Sequence, residues 1–397
     1  MQPQDSTQDS ATLSLEEQIA RLQALLEASR QVHSTIAVHE VLVQTAQILV
    51  RELEFEGAIF LDAEGKEVRA GYGAFPEPPY TGCQRFELTS RDGALLAHLV
   101  VEAGHEGELT LYEHDFVTGL ILQASVALEN ATLHERDLQW ARVQQDLDAA
   151  RGIQRSLLPR EMPSVPGFSI AARSVTCYEV GGDYLDVIGL ADGSNLLIVA
   201  DVAGKGLASA IVACSFRSAF RSLATQAMPL AEMAARVGQM HWDEGTEARR
   251  RYVTGIIVRL DAQNALLEAV NCGHNPCIVL RPDGSAHLIT ASGTPLGMLP
   301  GMTYTTEQIA FPAGSRLLLY TDGLTEVFCD EDEYGSERLT EAFQQIDSHD
   351  AEESLNRIWA GLQSFSAAAV NPGEQTDDMT ALAVHHFGSG KSQENFA

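Results

Sequence analysis

From Leu15, apolar or small residues recur at Leu15, Ile19, Leu22, Leu26, Ser29, His33 and Ile36, in alternating steps of four and three. That is a heptad seam, and it predicts a helix whose stripe packs on its own domain or on a twin helix. Helix is expected to continue over 40–52. "GAIFLDAEGKEVRAGYG" (57–73) reads as a hairpin turning at Asp62 to Gly65, and "PEPP" (76–79) breaks regular structure. "ALLAHLVVEAG" (94–104) is a strand candidate, and "DFVTGLILQASVALENATL" (115–133) predicts a long helix. The helical pattern runs on through "LHERDLQWARVQQDLDAARGIQRSLLP" to Pro159, interrupted by Gly152. Leu133, Trp140 and Leu147 are seven apart, as are Val143, Ala150 and Leu157, which together predict a second seam.

After "LLPREMPSVPGF" (157–168) the texture changes to short apolar runs, turn glycines and polar loops. "SIAARSV", "YLDVIGL", "NLLIVADV", "YVTGIIVRL", "LLEAVNC", "CIVLRP", "SRLLLYTDG" and "MTALAVHHF" all read as strands, with helical stretches at 207–241 and 337–365. Many strands with two separated helical blocks predict an α+β domain of stacked sheets flanked by helices. The expected order is a disordered tail (1–14), a small α+β sensor-like domain (15–130), a helical coiled-coil linker (120–158), the strand-rich domain (159–387) and a short disordered tail (388–397).

The chain has 397 residues, 45% of them hydrophobic, enough for two or three cores. A formal net charge of −29 argues against a nucleic-acid footprint and suits a protein that gathers divalent cations. The six cysteines, Cys83, Cys177, Cys214, Cys272, Cys277 and Cys329, form no C-x-x-C pair, so reduced thiols are expected. The N-terminus lacks the features of a signal peptide, and no apolar run reaches the roughly 18 residues of a membrane span. A cytoplasmic protein with no membrane partner is the expectation.

The chemistry lies where apolar strands run into aspartates. "LLIVADVAGKG" places Asp201 after a buried run, and "RLLLYTDG" does the same with Asp322. "EQTDDMTALAV" places Asp377 and Asp378 just before a strand, and Asp183 stands between two strands in "YEVGGDYLDV". Singly, each is an ordinary turn residue. Jointly, carboxylates converging on one rim would repel and raise each other's pKa unless hard cations sat among them. Aspartate oxygens and a backbone carbonyl suit Mg²⁺ or Mn²⁺. Two such ions about 4 Å apart activate a water for in-line attack on phosphorus.

"IQRSLLP", "EVGGDYLDV", "DVAGKGLASA", "CGHNPCIVL", "GTPLGM", "YTDGLTEVF" and "TDDMT" occur in this order over 153–384. The set resembles the PPM family of metal-dependent serine/threonine protein phosphatases, and in particular its SpoIIE-like bacterial branch. The resemblance implies two packed antiparallel sheets with helices outside, and two Mn²⁺ or Mg²⁺ ions. It implies that Asp201 bridges the ions with the Val202 carbonyl as a further ligand. Asp322 and Asp377 would ligate one ion each, and Asp183 would be a ligand or hold a metal water. Asp186 and Asp378 are candidates for a supporting role or a third ion, and Lys205 for phosphate. Gly204 and Gly206 would let the loop turn beside the metals, while Gly273, His274 and Asn275 would fix a turn. The eukaryotic branch has a histidine in the loop that here reads "DVAGKG" and an arginine that grips phosphate, for which Arg173 is a weak counterpart. The branch also implies a substrate, a phosphorylated STAS-domain anti-anti-sigma-type protein.

The N-terminal region resembles a GAF domain in length and pattern. With the linker seam it implies a sensor acting through a parallel homodimer. Two rivals remain: a catalytically silent scaffold of the same fold, and a GGDEF-type nucleotide cyclase. The cyclase motif needs Glu-Phe after Gly-Gly-Asp, where this chain has Tyr184-Leu185.

Overall fold

The chain divides into two compact units, Met1–Gln144 and Gln145–Ala397, with the division inside one long helix. The computed structural model describes residues 6–74, 77–80, 82–102, 108–159, 161–369 and 375–388. The outer parts of both expected tails, 1–5 and 389–397, lie outside the described residues.

The first unit contains α1 (Ser6–Val32), α2 (Val38–Glu52), β1 (Gly57–Leu61), β2 (Val68–Gly73), β3 (Gln84–Thr89), β4 (Leu95–Glu102) and the start of α3 (Leu111–Leu157). The helix at the N-terminus therefore begins within the stretch expected to be a tail. The strands form one antiparallel sheet in the order β2-β1-β4-β3. The β1–β2 turn falls where the sequence placed it, with Gly65 N–H donating to Asp62 O at 3.0 Å and Lys66 N–H to the Asp62 carboxylate at 2.7 Å. Leu42 and Leu49 of α2, Phe60 of β1, Leu99 of β4, and Val117, Leu120 and Leu128 of α3 make the core.

The α1 seam behaves differently from a self-packing stripe. The helix buries Ala28 and Val32 on the unit's core, while Ile19, Leu22 and Leu26 stay 48%, 61% and 64% exposed. On α3, Leu133, Trp140 and Val143 are likewise exposed. By length and composition α3 is apolar enough to cross a membrane, which the sequence reading did not anticipate. Half of its most apolar window is buried, and Phe116 to Ala131 supply that burial to the first unit's core.

The second unit receives the end of α3 and continues with β5 (Phe168–Val175), β6 (Tyr184–Gly189), β7 (Asn195–Val202), α4 (Leu207–Ala224), α5 (Leu230–Asp243) and α6 (Thr246–Arg249). There follow β8 (Val253–Asp261), β9 (Leu266–Cys272), β10 (Cys277–Leu280), β11 (Ala286–Ile289), β12 (Glu307–Ala310) and β13 (Arg316–Tyr320). A 3₁₀ turn (Asp322–Leu324), β14 (Phe328–Cys329), β15 (Asp332–Glu333), α7 (Gly335–Gln345), α8 (Ala351–Ala367) and β16 (Met379–His386) complete it. Two five-stranded antiparallel sheets result, ordered β11-β10-β13-β16-β5 and β12-β9-β8-β7-β6.

The central strands are largely apolar because both of their faces are covered. In β13, Leu317 and Leu319 enter the core between the sheets, while Leu318 and Tyr320 face the helices α7 and α8. In β7, Leu197 and Val199 point between the sheets, and Leu196, Ile198 and Ala200 lie under α4 and α5. A strand gripped from both sides has little freedom to slide, so the residues at its end are fixed in space.

Candidate active site

Four chain segments meet at one rim of this sandwich. Asp201 is the penultimate residue of β7, and Asp322 follows the end of β13. Asp377 and Asp378 lead into β16, and Asp183 precedes β6. The register brings these ends together: Ala200 faces Tyr184, Tyr320 faces Ala381, and Thr321 N–H donates to Thr380 O at 2.9 Å.

Three of the carboxylates are held by local donors. The Thr321 hydroxyl donates to Asp183 Oδ2 at 2.9 Å. Asp378 accepts the backbone N–H of Cys177 and of Gly182, both at 2.7 Å. Lys205 Nζ lies 2.9 Å from Asp377 Oδ2 and also donates to the Thr376 carbonyl. Gly182 explains its own presence. A Cβ there would stand 3.0 Å from the Val202 carbonyl oxygen and 3.4 Å from Asp201 Oδ1. At Gly323 a Cβ would lie 2.1 Å from the Asp378 carbonyl oxygen, and at Gly181 it would lie 2.3 Å from Asp378 Oδ2. Gly204 and Gly206 have φ of +99° and +76°, a left-handed backbone that favours glycine, between Asp201 and α4.

The electrostatics follow from this crowding. Burial, then the negative charges of Asp322, Asp377 and Asp378, push the Asp201 carboxyl up to about 7. Burial and Asp201 raise Asp183 well above the usual carboxylate range. Burial is also the leading cause of the upward shifts at Asp322 and Asp378, and Asp377 adds to both. Glu326, which the sequence reading passed over, joins the group. It is raised by burial and by Asp322 and Asp377, and its position four residues after Asp322 in "YTDGLTEVF" was the available signal.

Asp183, Asp201, Val202, Asp322, Asp377 and Asp378 thus come to one place. Among the described residues, however, no three His, Cys, Asp or Glu side chains are gathered tightly enough to hold a single ion. The donor set nonetheless fits hard divalent cations. It consists of buried and half-buried carboxylates, several of which raise one another's pKa, beside a backbone carbonyl kept clear by a glycine.

Other candidates lie elsewhere. Asp186 is fully buried, and its carboxylate takes Arg221 in two contacts at 2.6 and 2.8 Å, the Tyr184 hydroxyl at 2.7 Å and the Val187 N–H at 2.9 Å. That is a structural ion pair with its acceptor positions filled. Arg173 is turned onto α8, donating to Asn356 and lying 5.2 Å from the Trp359 ring centre. Gly273 (φ +67°) and the buried His274 form a turn that Asn271 closes by accepting the His274 N–H at 2.8 Å. Burial pushes the His274 imidazole down to about 4, and its Nδ1 meets the Thr254 hydroxyl at 2.9 Å. The Gln154 amide pairs with both backbone groups of Gly181, at 2.7 and 3.2 Å, and so ties the end of α3 to the Gly-Gly-Asp loop.

Among solved structures, the SiaA-PP2C domain of Pseudomonas aeruginosa is similar at 21% identity and a TM-score of 0.53, covering 62% of this chain and 98% of that one. The second unit has a PPM-type phosphatase fold. Residues 191–387 of this PPM-type unit match the family model described as Stage II sporulation protein E (SpoIIE). The match begins after Asp183. Protein IcfG of Synechocystis is 25% identical over 266 residues, 60% of this chain and 41% of its own length. Phosphoserine phosphatase RsbP of Bacillus subtilis is 27% identical over 183 residues, 46% of this chain and 45% of its own. Phosphoserine phosphatase RsbU of the same organism is 22% identical over 243 residues, covering 61% and 70%. The chain spans less than half the length of the first two of these relatives.

Two outcomes follow for the rim. Gly182→Ala should cost at least about tenfold in Mn²⁺ affinity while lowering stability by only about 1 kcal/mol, measured by calorimetric titration and urea unfolding. In cation-free protein the raised carboxyls hold protons that the unfolded chain has released. Stability from the cluster is therefore full in acid and is lost as pH rises from the ordinary 3.8 through about 7. The melting temperature in chelator should fall across that window, with a shallower slope in Asp201→Asn.

Proposed function

We propose that this protein is a metal-dependent serine/threonine protein phosphatase that hydrolyses phosphoserine or phosphothreonine on a partner regulatory protein. The observation that carries the reading is the convergence of buried and half-buried carboxylates from four separate segments around Asp201, whose carboxyl is pushed up to about 7. The PPM-type fold and the names of two relatives, both phosphoserine phosphatases, support it.

In this reading Asp201, the Val202 carbonyl, Asp322 and Asp377 would hold Mn²⁺ or Mg²⁺, with Asp183 and Asp378 supporting them. The cations, when bound, supply charge neutralisation, Lewis acidity and an activated water. The chain's own residues do the positioning. Thr321 orients Asp183, and the Cys177 and Gly182 amides orient Asp378. Lys205, 45% exposed beside Asp377, places a positive charge where an incoming phosphate would approach.

The partner in this reading is a STAS-domain anti-anti-sigma-type protein, in keeping with the SpoIIE-like resemblance. The N-terminal unit serves as a GAF-like sensor, and α3 carries its signal within a parallel homodimer. The exposed seam on α1 and the exposed Leu133, Trp140 and Val143 on α3 support the dimer, because apolar stripes left uncovered by their own unit are what a twin helix covers.

Hydrolysis of p-nitrophenyl phosphate should depend on Mn²⁺, stop on chelation, and fall at least about 100-fold in Asp201→Asn. Activity that survives both treatments contradicts the two-metal reading. A protein that binds a phosphorylated STAS partner tightly without hydrolysing it is the silent scaffold. Light scattering at micromolar concentration should report a dimer, shifted to monomer by Trp140→Glu; a monomeric wild type contradicts signalling through paired helices.

A further inference from the structure

Beside the carboxylate rim lies a groove of about 360 Å³. Its walls are Val327 and Phe328, Trp359 and Leu362 of α8, and Met379 at the start of β16. Two features tie it to the chemistry. Gly323, next to Asp322, and Thr376, next to Asp377, both line it, so it opens from the loops that carry two of the candidate ligands. The groove is also lined by two acidic residues, Glu326 and Asp330.

In its lining Phe328 is 45% exposed and Val175 is 38% exposed, while Trp359, Leu362 and Met379 are buried. Phe328 belongs to the short hairpin β14–β15, paired in register with Glu333, which holds the ring at the edge of the groove. Trp359 is 7% exposed and presents a rigid aromatic floor. The rim recognises phosphate and metal, and neither distinguishes one phosphoserine from another. An apolar recess continuous with the rim supplies that distinction, because binding energy gained away from the reacting atoms can be used at them.

Resting on the phosphatase reading, we infer that this groove is a specificity subsite. It takes one large aliphatic or aromatic side chain from the substrate, close in sequence to the phosphoserine. The volume suits one such side chain and part of its backbone. The apolar lining of Val327, Phe328, Trp359, Leu362 and Met379 suits an apolar occupant, and Glu326 and Asp330 disfavour a carboxylate beside it.

A scan of phosphoserine peptides tests this. In an alanine background, a single leucine is moved one position at a time on either side of the phosphoserine, with aspartate in a parallel series. Phosphate release by full-length protein with Mn²⁺ is expected to give one position where leucine raises kcat/KM at least about tenfold over alanine and aspartate lowers it. Phe328→Ser should flatten that preference while hydrolysing the all-alanine phosphopeptide as wild type does, and Phe328→Trp should keep it. A scan with no preferred position, or a preference unchanged in Phe328→Ser, overturns the subsite while p-nitrophenyl phosphate turnover leaves the phosphatase reading intact. If no peptide and no p-nitrophenyl phosphate is hydrolysed, the phosphatase reading falls and the subsite with it.

Discussion

The structure of the second unit is organised around an electrostatic conflict. Negative oxygens are brought into a space that water reaches poorly, where each makes its neighbours harder to ionise. A protein left to minimise its free energy alone would keep such groups apart. Here they are held at the ends of strands covered on both faces. Asp201 is the penultimate residue of one such strand, Asp322 follows another, and Asp378 precedes a third. The two-sheet core prevents the rim from relaxing by spreading its strands.

Around that conflict the loops show how little room there is. Gly181, Gly182 and Gly323 each sit where a Cβ would meet Asp378 or Asp201. Thr321 serves twice, donating to Asp183 and accepting the Thr380 N–H at 3.0 Å, so the end of β13 is tied to both the Gly-Gly-Asp loop and β16. Lys205 offsets part of the charge at Asp377 from the glycine-flanked loop after β7. The same loop chemistry that makes the site compact also couples it to its surroundings, since Gln154 grips the Gly181 backbone from the end of α3.

Much of this was legible in the sequence, for a definite reason. "NLLIVADV" and "LLEAVNC" coincide with β7 and β9 because strands covered on both faces are rich in apolar residues. The short strands β11 and β12 were not foreseen. They lie at sheet edges, and three of the four residues in each are not buried, so they carry no clear apolar pattern. β3 escaped for the same reason, being a polar edge strand beside β4. The helical stretches at 207–241 and 337–365 each hold two helices, divided near Pro229 and before Asp350. The aspartates at strand ends were legible as a group. The separate fate of Asp186 and Thr321's double contact were not, because each depends on which segments become neighbours. Arg221 is 35 residues from Asp186 in sequence, and Thr321 is 138 from Asp183.

The central claim is that the rim exists to hold divalent cations. Titration calorimetry of the chelator-treated protein with Mn²⁺, run near neutral pH in buffers of different ionisation enthalpy, addresses it without relying on any substrate. The account predicts two ions per chain, with protons released as binding displaces them from the raised carboxyls, and loss of that uptake in Asp201→Asn. Absence of binding, or binding that releases no protons and is indifferent to Asp201→Asn, would contradict it.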